Sequence, residues 1–235
     1  MARLLRFIPD GGSLVEVTTR TIQSRFLLTP SLQLNRIIIG ALARASRRHK
    51  VGVVAFVFLA NHYHLLLRVE DADQLASFMG LFNSKLAREV ARLTGWKDKI
   101  WSRRYRAIVV SNEEAAQAAR LLYILSNACK EDLVARLEEW PGVHCAPALL
   151  TGGSLQGVWI NRTQEYLARQ RGETPDPQRF EEPETLTLEP LPCWGHLSPE
   201  QYRGQIARLV HSVEVEAEAQ RKRSGKQPLG PEAIL

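Results

Sequence analysis

Two apolar runs, Val51–Leu59 and His62–Val69, stand with only Ala60 and Asn61 between them. So short a break forces them antiparallel as a hairpin, and the rest of the chain has to fit around that pair. Upstream, residues 13–22 (SLVEVTTRTI) alternate and are rich in β-branched types, which predicts a strand. Thr29 as cap and Pro30 in the first turn predict a helix start. Leu34, Ile37, Ile38, Ala41, Leu42 and Ala45 then recur at helical spacing. Downstream, Leu75, Phe78, Met79, Phe82, Leu86, Val90 and Leu93 form a second helical stripe, closed by Gly95. Arg104–Val110 reads as a fourth strand. Ser111 and Glu114 have the spacing of a capping box, opening a helix that runs to about Leu137. The order β-α-β-β-α-β plus a helix predicts an α+β, ferredoxin-like (split βαβ) domain with an antiparallel sheet. Its strand order would be 4-1-3-2, with His62–Val69 inside.

Past Trp140–Gly142 the character changes. We expect a first domain over residues 1–148 and a mostly helical extension over 149–235. Within the extension, residues 172–193 are rich in Pro, Glu and Thr and read as a linker or loose excursion. A last helix, about Pro199–Arg221, leads into the basic tail Arg221–Lys226. With 45% hydrophobic and 24% charged residues, a chain disordered throughout is excluded. The net charge of +6 favours a polyanionic partner. Three widely spaced cysteines fit reduced thiols rather than a disulfide framework. The amino terminus, MARLLRFIPDGG, lacks a signal-peptide run, and Val51–Ala60 falls far short of the roughly 20 residues that span a bilayer. A cytoplasmic protein with no membrane contact is expected.

Side chains alternate faces along a strand, so His62 and His64 point the same way, and Tyr63, Leu65, Leu67 and Val69 point the other. Two neighbouring imidazoles on an inner strand need partners, and a shared metal ion is one. By itself the pair is a weak signal, and histidines satisfied by backbone carbonyls or facing water are the commoner case. On the helix near residue 112, Tyr123 and Asn127 are four apart and share a face, presenting a phenol beside an amide. Tyr123 alone would also suit an amphipathic core position. Arg44, Arg47, Arg48, Lys50, Arg103, Arg104 and Arg106 are candidate phosphate contacts. Tyr105, set among arginines, suits base stacking.

Four stretches together resemble the REP-associated tyrosine transposases, a branch of the single-tyrosine HUH transposases. They are Val15–Arg20 (VEVTTR), Leu59–Leu67 (LANHYHLLL), Gly95–Trp101 (GWKDKIW) leading into Arg104–Arg106, and Tyr123–Asn127 (YILSN) followed by Asp132–Val134. The resemblance covers roughly residues 5–145. Where the family often has a His in the first strand this chain has Glu16, and where it commonly has Pro after the helix asparagine this chain has Ala128. The resemblance implies cleavage and rejoining of single-stranded or hairpin DNA, with Tyr123 as nucleophile and a 5′-phosphotyrosine intermediate. It also implies a divalent metal, Mg²⁺ or Mn²⁺, on His62, His64 and Asn127. Both monomers and homodimers are compatible with it. The alternatives are a domesticated DNA-binding relic that does not cut, and a metal-dependent barrel hydrolase. The barrel would need about 250 residues and further ligands.

Overall fold

The computed structural model describes residues 7–9, 11–174 and 176–235. Most of the amino-terminal stretch weighed above as a leader therefore lies outside the described residues. β1 (Ser13–Arg20), β2 (Gly52–Phe58), β3 (His62–Val69) and β4 (Arg106–Val110) form one antiparallel sheet in the order β2-β3-β1-β4. This is the expected 4-1-3-2 order, with the histidine strand inside. The hairpin closes through Leu59 N–H donating to His62 O at 2.8 Å. A register shift between Val53 and Ala55 lets β2 follow β3 along its full length.

Register decides what each face carries. Arg20 pairs with His62 and Thr18 with His64 across β1 and β3, while Thr18 pairs with Arg106 and Glu16 with Ile108 across β1 and β4. Even-numbered residues of β1, β3 and β4 therefore share one face. The odd face is apolar and packs on α2 (Ala72–Thr94), where Tyr63 meets Phe82 at 5.6 Å between centroids. α1 (Leu32–His49) lies beside α2. All the predicted stripe residues of these two helices are buried except Leu93, which is 37% exposed near the end of α2. Gly95 closes α2 with φ 68°.

Several boundaries differ from expectation. α1 starts two residues late because Ser31, not Thr29, is its cap, accepting from Leu34 N–H at 3.2 Å; Thr29 instead donates to Phe26 O. α3 (Glu114–Lys130) has Glu113 at its cap position, and Ser111 only accepts from Glu113 N–H. α3 also stops well short of Leu137. Asp132 adopts φ 54°, and the amides of Leu133 and Val134 fold back onto Ala128 O. With Ala128 where a proline is common, the helix simply continues three residues past Asn127.

The stretch read as a linker contains β6 (Glu181–Leu186), paired antiparallel with β5 (Leu155–Ile160) in a ribbon against α1. Its Glu and Pro content hides the strand. Pro183 is tolerated because the ribbon has only two strands, and the glutamates meet arginines of α1. Backbones approach closely here: a Cβ on Gly40 would sit 2.1 Å from Val158 O, and one on Gly157 would sit 2.3 Å from Gly40 N. α4 (Ala146–Thr151) precedes the ribbon and α5 (Arg162–Gln170) lies between its strands. α6 (Pro199–Ser224) packs along α3, burying Ile206, Val213 and Ala217. Just before α6, Trp194 Nε1 donates to Glu114 at 2.7 Å and Cys193 N–H donates to Gln117 at 3.0 Å. The extension thus covers the outer side of α3. No helix among the described residues is long and apolar enough to cross a membrane.

Candidate nucleic-acid processing site

The even face of the sheet and the inner side of α3 enclose a cavity of about 780 Å³. Its walls bring together His62, His64, Tyr123 and Asn127, residues from strand and helix that sequence reasoning had grouped. The two imidazole centroids are 5.3 Å apart, and the Tyr123 ring stands edge-on to His64 at 5.3 Å.

Both histidines are oriented by a neighbour. His64 Nδ1 lies 2.8 Å from Glu16 Oε1 and 3.1 Å from Thr18 Oγ1, and His62 Nδ1 lies 2.6 Å from Asn61 Oδ1. An acceptor at Nδ1 selects the Nδ1–H tautomer, which leaves Nε2 of each ring for a metal. Burial, reinforced by the charges of His64 and Arg20, lowers the pKa of His62 to about 4. At neutral pH it is a free base with a lone pair to offer. Asn127 directs its amide N–H to Tyr123 O at 2.7 Å, so its oxygen is the group left for another partner. Among the described residues no three His, Cys, Asp or Glu side chains group as a metal site. A cation here would rely on two imidazoles plus the Asn127 oxygen, water and substrate, a donor set that by itself does not select one divalent ion.

Glu16, noted in the sequence only as a departure, turns out to be the hub. It is 3% exposed, and its second oxygen accepts from Arg120 at 2.6 Å. Burial opposes its charge, but the bonds and charges of His64 and Arg120 hold its carboxyl below the usual carboxylate range. Arg120 sits one turn before Tyr123 on α3, so one carboxylate ties the histidine strand to the tyrosine helix. The register of β1 against β3 puts Glu16 on the His64 face, and the packing of α3 adds Arg120. Two cations flank the phenol ring, with Lys130 Nζ 5.2 Å and Arg120 Cζ 6.0 Å from its centroid.

The candidate DNA contacts divide. Arg103, Arg104 and Arg106 line the cavity, joined by Arg20, which was not singled out from sequence. Arg44 instead pairs with Glu182 and Glu184 of β6, and Arg47 pairs with Glu184 at 2.9 Å. These two are corrections: the ribbon's carboxylates occupy the place expected for phosphates. Arg48 and Lys50 sit at the end of α1 that leads into the start of β2, away from the hairpin turn and His62. Basic groups there complement the helix dipole. Tyr105 is a further correction, because at 7% exposure it packs in the core and offers no ring face to a base. The chain's last residues supply another wall. Leu229, Ala233 and Ile234 line the cavity, and Leu229 N–H bonds Asp132 O at 2.8 Å.

Residues 17–126 match the model of the IS200-like transposases. No curated protein matches the chain. Among solved structures, one described as a REP-associated tyrosine transposase bound to a REP hairpin is similar, with a TM-score of 0.51 and 20% identity. The match covers 64% of this chain and 86% of that one, and it shows a shared fold. A second, described as a candidate transposase from Deinococcus radiodurans R1, matches at TM-score 0.35 and 17% identity, over 52% of this chain and 96% of that one.

Proposed function

We propose, on the match of residues 17–126 to the IS200-like transposases, that the chain cleaves and rejoins single-stranded DNA through Tyr123. The observation that carries this reading is the meeting of Tyr123 with His62 and His64 in one arginine-lined cavity. The Tyr123 oxygen forms a bond to phosphorus, the bond to the departing 3′-oxygen breaks, and the phenolic proton is lost while that oxygen gains one. The products are a 5′-phosphotyrosine and a free 3′-hydroxyl. The covalent link conserves the bond energy, so another strand's 3′-hydroxyl can reverse the step.

A divalent cation held by His62, His64 and Asn127 would draw charge from the phosphate and align it for in-line attack. Arg20, Arg103, Arg104 and Arg106 supply phosphate contacts, and Arg120 with Lys130 keeps positive charge beside the attacking ring. The similar structure's hairpin ligand makes a hairpin with single-stranded flanks the first substrate to try. Incubating the protein with such oligonucleotides and Mn²⁺ should give a covalent adduct that survives a denaturing gel. DNA binding with no adduct would favour the non-cutting relic.

Two variants probe the site. His64→Ala should lose metal-dependent adduct formation, and cleavage that persists at the wild-type rate in excess chelator would remove the metal from the reading. Glu16→Ala should cost about 10–100-fold in metal affinity or activity, the usual effect of removing a partner that orients a ligand. Its fold should survive, because Arg120 is a third exposed and can turn to water. Calorimetric titration with Mn²⁺ and a melting curve separate those two effects.

A further inference from the structure

The turn between β1 and α1 holds an aromatic ring where folding alone gives it little. Phe26 is 72% exposed, while the adjacent Leu27 and Leu28 are 8% and 2% exposed, so the backbone beside it is anchored. The ring belongs to the wall of the cavity that holds His62, His64 and Tyr123. Just before it, Gln23 and Ser24 adopt φ 51° and 55°, a left-handed pair that residues with a Cβ enter only when the surroundings impose it.

The surroundings do impose it. The single Thr21 hydroxyl proton is shared between Arg25 O at 2.6 Å and Asn61 O at 3.0 Å. Asn61 Nδ2 donates to Ser24 O at 3.3 Å, and Thr29 Oγ1 donates to Phe26 O at 2.9 Å. Leu28 N–H donates to Ala60 O at 2.8 Å. Arg25 is drawn aside, its guanidinium 4.8 Å from the Trp96 ring. Asn61 is also the residue that fixes His62, through Nδ1 at 2.6 Å. One side chain therefore sets both the first histidine and the turn that carries Phe26.

We infer that Phe26 is a stacking platform for one unpaired nucleobase of the bound strand, held by Asn61 at a fixed offset from His62. Arg20, Arg103, Arg104 and Arg106 line the same cavity. An aromatic face among guanidinium groups is the combination that holds a base and its flanking phosphates. Phenylalanine offers a π-face without donors or acceptors, so the subsite asks for an unstacked base and tolerates any of the four. Bases stacked within a duplex present no such face. The inference rests on the proposed function, since it takes single-stranded DNA as the ligand.

The test uses the full chain and a hairpin oligonucleotide with single-stranded flanks, carrying one abasic position that is moved along the flank. In wild type, one position should weaken binding, read by fluorescence anisotropy, by about tenfold, a typical loss for one stacked base. Phe26→Ala should weaken the intact oligonucleotide by a similar factor, and the abasic position should then cost nothing further. Phe26→Trp should restore both the affinity and the abasic sensitivity. Multiplying losses, or a Phe26→Ala variant that binds intact DNA like wild type, would overturn the subsite alone. A wild-type protein that binds no single-stranded DNA would overturn the functional reading and the subsite with it.

Discussion

Replacing Tyr123 with Phe should abolish strand cleavage while leaving the fold and DNA binding in place. The substitution removes one oxygen and keeps the ring, so the edge contact with His64 and the flanking Lys130 and Arg120 persist. Stability should change by no more than about 0.5 kcal/mol, as for substitutions that break no buried network. Cleavage should fall below detection, because no other phenol is placed to replace it. Tyr63 is fully buried, its phenol pushed up by that burial, and it hydrogen-bonds Asn83 on the opposite face of the sheet. Tyr105 is buried in the core. Nicking by the Tyr123→Phe protein at the wild-type rate would require a nucleophile of another kind.

Glu89→Ala should cost about 3–5 kcal/mol, the usual result of stripping one partner from a buried charge pair. Glu89 is 0% exposed and takes Lys85 Nζ at 2.8 Å, together with the guanidinium of Arg162 from α5. Lys85 is itself only 4% exposed, and its ammonium also donates to Ile160 O at 2.5 Å and lies 4.4 Å over the Trp159 ring. Without Glu89 a buried ammonium would keep only a carbonyl and a π-face. For a chain of this length the melting temperature should drop by roughly 10 °C. The cluster lies between α2 and the segment β5–α5, on the α2 side of the sheet and not among the cavity's walls. DNA affinity measured well below the melting point should therefore be unchanged. A drop of less than about 1 kcal/mol would show that the pair contributes little beyond what water supplies.

Local pattern and long-range pairing were unequally legible in the sequence. The hairpin, both core helices and the strand order follow from apolar period and short connections, and these residues are buried as their period requires. Spacing set His62 beside His64 and Tyr123 beside Asn127, each pair on one element, and the resemblance to the single-tyrosine transposases implied that the two pairs belong to one site. Glu16 could not be assigned a role: its link to Arg120 crosses from the first strand to the last helix of the sheet domain, and no local spacing records it. The same limit hid β6, which pairs with β5 and whose Glu182 and Glu184 meet Arg44 and Arg47 of α1. Charge alone then misassigned those arginines to DNA. Tyr105 was misread, and Phe26 passed over, for a related reason. An aromatic among arginines looked exposed and is buried, whereas Phe26 is held outward by a turn whose bonds run to Asn61 and Ala60.

The most direct measurement is peptide mass spectrometry of the full chain after incubation with single-stranded hairpin oligonucleotides, Mn²⁺ and then nuclease. A nucleotide-bearing peptide containing Tyr123, absent when chelator is added, is the expected result. Cleaved DNA with no modified Tyr123, or with the nucleotide on another residue, would contradict the assignment of that phenol as the attacking group.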